Sequence, residues 1–230
     1  MRNMISEENF NPDQNGIGTY AKRMVPILVY MLIYLLWFHY LENRSIQIEY
    51  LIHTPLDDKI PFCKYFIIPY LFWFGYVAVA SLYFLFADYE SFRRLYLFLV
   101  TGMTLFLLIS TLWPNGHDLR PVITGSGVCD RLVQNLYNRD TSTNLWPSIH
   151  TYNSLGVWYA VKNAEHLKKK KGIRILFMLI SYSIVASTVL LKQHSVFDVI
   201  SAFLFAGTMY YFTYVLDLLD LIGQRRPRAA

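Results

Sequence analysis

The chain has 230 residues, 54% hydrophobic and 17% aromatic, with 16% charged side chains and a formal net charge of +5. A soluble domain of this length has no use for several near-uninterrupted apolar runs of about 20 residues, the length that crosses a hydrocarbon layer of roughly 30 Å. Composition therefore excludes an ordinary soluble globular protein, and continuous apolar runs without alternation exclude a membrane β-barrel.

In chain order, residues 1–23 read as a polar cytoplasmic tail without periodicity. Six spans are expected, at 24–41, 66–87, 95–113, 147–164, 175–191 and 196–222. The expected fold is an all-α polytopic membrane domain over 24–222, with six transmembrane helices and both termini cytoplasmic. Lys22 and Arg23 precede the first apolar run as in a signal peptide. That run continues into FHYLENRS with no small-residue cleavage pattern, so it should remain as a span with Pro26 in its first turn. The loop 42–65 is mixed in character and is expected to lie along the membrane interface, with Tyr65, Tyr70, Trp73 and Tyr89 marking interfacial levels. The short turn Asp88–Arg94 makes the second and third spans antiparallel neighbours. The outer loop 114–146, with Gly116, Gly125 and Gly127, is of a length that is often functional. A basic inner loop, a short outer connection at Lys192–Ser195 and a basic tail over 223–230 complete the chain.

The positive charge is segregated. With a cytoplasmic N-terminus, the inner segments hold Arg2, Lys22, Arg23, Arg93, Arg94, Lys162, Lys168 to Lys171, Arg174, Arg225, Arg226 and Arg228. The outer side keeps Arg44, Lys59, Lys64, Arg120, Arg131, Arg139 and Lys192, the asymmetry of the positive-inside rule. The lysine run then belongs to a cytoplasmic loop near anionic headgroups rather than to a nucleic-acid site. Cys63 and Cys129 both fall outside, either as a disulfide or as two unrelated thiols.

Three polar islands stand at the ends of apolar spans: DLRPVITG at 118–125, WPSIHTYNS at 146–154 and STVLLKQHSVFDV at 187–199. His194 and Asp198 are four residues apart, one above the other on a helix, where the carboxylate orients the imidazole and stabilises its cation. The same pair would also serve a buried polar network. Pro147, Ser148 and His150 open the fourth span, where free N–H groups and the Ser148 hydroxyl form an anion cradle; Ser148 would equally serve as a plain cap. Arg120 suits a phosphate or carboxylate, or snorkels at the interface. Together these residues suit phosphoryl transfer. His194 is the nucleophile, Asp198 its partner and His150 the acid and base, with Arg120 and Ser148 stabilising charge. A metal held by His150, His194 and Asp198 is the alternative, but no HExxH-like spacing occurs, and no metal or cofactor is expected. His39, His53, His117 and His166 match no motif; His117, three residues before Arg120, is the one nearest the set.

RP at 120–121, PSIH at 147–150 and S-x6-H-x3-D at 187–198 resemble, in order, the three signature motifs of the type 2 phosphatidic acid phosphatase superfamily, over about residues 60–220. The resemblance implies a six-helix membrane enzyme acting on lipid phosphates through a phosphohistidine, without a metal. It implies His194 as nucleophile, Asp198 as its partner, His150 as acid, and Arg120, Ser148 and Ser187 in the phosphate site. Two positions depart from the pattern: Trp113 stands where the first motif has lysine, and Thr188 where the third has arginine. Lys192 is expected to take over part of the lost charge. The expected function is hydrolysis of a lipid phosphomonoester or pyrophosphate at the outer face of the cell membrane. The alternatives are headgroup transfer to a lipid alcohol and non-catalytic lipid binding or transport. The partners are a lipid phosphate substrate and membrane lipids, and oligomeric state is left open.

Overall fold

A computed structural model of the chain describes residues 17–44 and 47–224. The tail residues 1–16 and 225–230, with Arg2, Arg225, Arg226 and Arg228, lie outside the described residues. The described chain is all-α apart from one short bridge. Helix α1 spans Ile17–Asn43, α2 Pro55–Lys59, α3 Ile67–Ala87, α4 Tyr89–Leu112, α5 Val128–Arg139, α6 Ile149–Asn163, α7 Lys171–Leu190, α8 Val196–Tyr210 and α9 Leu218–Gln224. Two-residue strands β1 (Tyr50–Leu51) and β2 (Asn115–Gly116) pair in parallel.

Among the described residues, five segments are long and apolar enough to cross a membrane: Lys22–Asn43, Lys64–Ala87, Tyr89–Leu112, Lys171–Leu190 and Val196–Val215. The remaining expected span, 147–164, is α6, with only 15 residues. Its rise of 1.5 Å per residue gives about 22 Å, short of a hydrocarbon layer. α6 is instead the axis of the bundle, packed by α3, α4, α7 and α8. Every residue from Thr151 to Val157 is buried, so its backbone faces protein rather than lipid.

Glycines set the closest approach. A Cβ on Gly102 of α4 would stand 2.0 Å from the Tyr152 ring, and one on Gly156 of α6 2.6 Å from Phe98. The Phe98 and Tyr152 rings stack at 4.5 Å, and the Tyr152 hydroxyl donates to the Phe98 carbonyl at 3.0 Å. The two glycines thus let two rings fill the α4–α6 seam.

Three boundaries differ from expectation. Helix begins by Ile17, so Pro26 lies inside α1 rather than in its first turn, and residues 17–23 are not an irregular tail. α4 begins at Tyr89, because Asp88 caps it by accepting from the Ser91 N–H at 3.0 Å. The last expected span, 196–222, is interrupted. α8 passes into a π-helical turn, Tyr211–Val215, and Asp217 takes a left-handed φ of 48° while its carboxylate pairs with Arg94 at 2.7 Å.

The loops sort to opposite ends. Asp88, the 164–170 connection and Asp217 gather at one end, where Arg23 stacks over Tyr89 at 3.9 Å and His166 meets Asp88 at 3.2 Å. The other end collects the C-termini of α1, α4 and α7 with the N-termini of α3, α6 and α8. There the 114–146 loop carries β2 and the amphipathic α5, and Gly116 also bridges antiparallel to Thr143. Cys63 and Cys129 are both free thiols.

Candidate functional site

Histidine 194 lies in the tight α7–α8 connection. Its N–H and that of Gln193 both donate to the Thr188 carbonyl, at 3.1 and 2.9 Å. Between them and α7, Lys192 takes a left-handed φ of 53°, a conformation that usually selects glycine at a helix end. Ser195 then caps α8 with Asp198 at its third position: the Ser195 N–H donates to Asp198 Oδ2 at 2.9 Å. The same oxygen lies 3.4 Å from His194 Nδ1, with His194 5% and Asp198 0% exposed. A capping box thus delivers the carboxylate to the imidazole.

His150 stands one residue inside α6, capped by Ser148, whose hydroxyl accepts from the Thr151 N–H at 3.3 Å. The Ser148 N–H donates to the Asp198 carbonyl at 3.3 Å, which locks the starts of α6 and α8 together. The His150 ring is held between Tyr70, centroids 4.6 Å apart, and Trp73, at 4.3 Å, and lies 5.7 Å from the His194 ring. Its Nδ1 is buried without a partner. Tyr70 is buried, and the two rings from consecutive turns of α3 fix the plane of His150.

Arg120 reaches the set from the long loop. Its Nη1 donates to the Asp140 carbonyl at 2.6 Å, and its Nη2 to the Thr141 carbonyl at 2.9 Å and to Gln193 Oε1 at 2.5 Å. Tyr137 of α5 lies under the guanidinium at 4.8 Å, and Nε has no partner. The 140–144 segment it grips is pinned to α1 by Glu42, which accepts from the Thr141 hydroxyl at 2.6 Å and from the Asn144 amide at 2.9 Å. Burial pushes the Asp140 carboxyl up to about 6 against the opposing charge of Arg120. Burial, followed by the nearby Arg120 charge, holds the His194 imidazole well below its ordinary value.

Two expected phosphate ligands sit elsewhere. The Ser187 hydroxyl donates back to the Ile184 carbonyl at 2.6 Å inside α7. The Lys192 ammonium donates to the carbonyls of Asp57 and Ile60, at 2.5 and 2.6 Å. Its charge closes the end of α2 and supports its own strained backbone instead of facing the histidines. Trp113 is half-exposed, and Thr188 is buried with its hydroxyl on the Val185 carbonyl. Among the described residues no three His, Cys, Asp or Glu side chains are grouped as a metal would require.

Two participants, Asp57 and Gln193, were not singled out from the sequence. Asp57 is buried, and its carboxylate accepts from the Ser195 hydroxyl at 2.6 Å, the Val196 N–H at 2.8 Å and the Thr54 N–H at 2.7 Å. Burial acts to raise its pKa, but these donors together hold it below the usual range. The signal available was T-P-L-D at 54–57, a capping-box pattern with proline at its first position. Gln193 links Arg120 to the His194 loop. His117, buried behind it, accepts the Leu119 N–H on Nδ1 at 3.3 Å and donates from Nε2 to the Gln193 carbonyl at 3.0 Å, so the neutral ring holds one tautomer.

His150, His194, Asp198, Ser148 and Arg120 thus converge at one end of the bundle from three separate chain segments. The arrangement offers an imidazole with a carboxylate behind it, a second imidazole with its ring centroid 5.7 Å away, and a fixed guanidinium. No protein-family model matches this chain, and neither a curated protein nor a solved structure matches it.

Proposed function

We propose that this chain is a multi-pass membrane phosphatase that cleaves the phosphate ester or anhydride of a lipid through a phosphohistidine. The observation that carries the reading is the His194–Asp198 pair facing His150 across 5.7 Å, with the Arg120 guanidinium held beside it. The signature-like spacing of these residues adds the likeness to type 2 phosphatidic acid phosphatases. Nε2 of neutral His194 attacks phosphorus, forming an N–P bond as the P–O bond to the lipid breaks. His150 gives its proton to the departing oxygen. Water then gives a proton to His150 and attacks phosphorus, the N–P bond breaks, and inorganic phosphate leaves. Asp198 holds the His194 tautomer, and Arg120 with the α6 N-terminus balances charge on the equatorial oxygens.

On this reading α6 is a sixth crossing, completed by protein packing rather than by length. Both termini are cytoplasmic, and the histidines face the extracytoplasmic side of the cell membrane. A second reading, headgroup transfer to a lipid alcohol, is favoured by the chain's own cation count. Trp113 and Thr188 supply no charge, and Lys192 is committed to carbonyls, so the site is less cationic than a hydrolase acting on a dianion would use. Non-catalytic lipid binding leaves the paired histidines without a task.

The test is phosphate release by purified protein from a panel of lipid phosphates in EDTA, beside His194→Ala. Release that survives EDTA and disappears in the variant supports hydrolysis, with His150→Ala expected to lose a hundredfold or more, on the order expected for proton transfer. Transfer to an added lipid alcohol without release supports the second reading. Release abolished by EDTA would sink the mechanism.

A further inference from the structure

Between α1, α3 and α4 lies an apolar groove of about 470 Å³, lined by Tyr34 and Leu35, by Trp73, Val77, Ala78 and Leu82, and by Leu99 and Met103. It is open on its lipid-facing side, where Phe74 is 62% and Leu35 55% exposed. From Trp73 to Leu82 it follows nine residues of α3, about 13 Å at helical rise. Its volume falls in the usual range for a small-molecule site, roughly 300–1,000 Å³.

One end of this groove is not apolar. Trp73 both lines it and touches the His150 ring at 4.3 Å. Asn153 is the one α6 residue that lines it, three residues after His150 and so on the same helix face, about 4.5 Å further along the axis. Asn153 is 2% exposed, and its Oδ1 has no hydrogen-bond partner. Neither has Trp73 Nε1. A buried acceptor and a buried donor without partners are each costly, and together they suit a ligand group that both donates and accepts. A bare hydrocarbon chain would leave both unmet.

We propose that the groove holds one hydrocarbon chain of the lipid phosphate, with Asn153 and Trp73 recognising a hydroxyl or amide between that chain and the phosphate at His150. The occupant is thus a lipid built on a hydroxylated or amide-bearing backbone, such as a lysophospholipid or sphingoid phosphate. Polyprenyl phosphates, whose chain joins the phosphate directly, are disfavoured. The proposal rests on the lipid-phosphate reading for the identity of the headgroup, and it adds the selection among lipids.

The experiment compares phosphate release from an oleoyl lysophosphatidate, its short-chain hexanoyl counterpart and farnesyl phosphate. Ala78→Trp fills the groove midway, and Ser81→Trp fills it further from His150. The expected result is a fall of at least tenfold in the long-chain to short-chain ratio for either variant. Val79→Trp, on an exposed position outside the groove, keeps the wild-type ratio and controls for folding. Asn153→Leu should reduce a preference of about tenfold or more for lysophosphatidate over farnesyl phosphate to near one. Unchanged ratios in these variants overturn the groove while leaving the phosphatase reading standing. A separate arm crosslinks a lysophosphatidate carrying a diazirine on its chain and maps the adducts. Adducts on Phe74, Val77 and Leu82 that Ala78→Trp removes support the groove, even if no substrate releases phosphate. Adducts spread over the outward helix faces and indifferent to Ala78→Trp refute it.

Discussion

A histidine works as a nucleophile only while its ring is neutral, and the surroundings of His194 favour that form. Burial removes the solvation of the cation, and Arg120 opposes it further. The ordinary value is 6.5. The unfolded chain therefore takes up a proton below that pH while the folded chain resists, and the stability this group contributes is lost as pH falls below 6.5. Carbon-detected NMR of ring-labelled protein, assigned with His194→Ala, should show a neutral His194 at pH 5. A resonance titrating near 6.5 would show that the ring is solvated. Asp57 carries a different load. Its carboxylate collects donors from α2 and from the first turn of α8, where negative charge also suits the helix dipole. Asp57→Asn removes that charge and replaces an acceptor by a donor. It should lower unfolding stability by about 1–3 kcal/mol, read as a lower melting temperature in detergent. An unchanged melt would mean that α2 does not brace the histidine loop.

Among the elements, α6 differs most from the long apolar segments, being only 15 residues long and packed on all sides by protein. Hydropathy alone places it with its neighbours, but its polar stretch Thr151–Tyr152–Asn153–Ser154 is buried throughout. Those residues are tolerated because α4, α7 and α8 surround them. The seam with α4 is close, since Gly102 leaves the space that the Tyr152 ring fills. Gly102→Leu forces that buried ring aside, and the expected cost is about 1–3 kcal/mol from overpacking. Thermal unfolding of the variant in detergent measures it. A neutral outcome would mean that the α4–α6 seam yields more easily than two stacked rings allow. In the sequence α5 reads as part of a long loop. Its 12 residues are too few and too polar for a span, yet Val133 is buried with Ile67, Tyr70 and Leu191, so α5 packs on the end of the bundle and holds Tyr137 under Arg120.

For the molecule as a whole, the charge asymmetry along the sequence becomes an asymmetry between ends. Lys22, Arg23, Arg93, Arg94, Lys162, the 168–171 run and Arg174 share the end opposite the histidines. By the positive-inside rule this asymmetry supports the proposed orientation. In a background with Cys63→Ala and Cys129→Ala, a membrane-impermeant maleimide applied to intact cells should label Arg131→Cys on α5. It should label Lys169→Cys only after lysis. The reverse pattern would invert the proposed orientation and place the histidines in the cytoplasm.

The sequence by itself determined the all-α class, the apolar segments and the residues that converge, because burial in lipid demands long apolar runs and a helix's 3.6-residue repeat pairs His194 with Asp198. Only the tertiary structure decided what those residues touch. Periodicity carries no information on partners distant in the chain, so Asp57 against Ser195, Gln193 against Arg120 and the Tyr70–Trp73 clamp on His150 stayed hidden. The same limit explains Lys192 and Ser187. Proximity in sequence put them beside the nucleophile, while the left-handed turn at Lys192 and the rotation of Ser187 onto its own helix directed their polar groups to carbonyls.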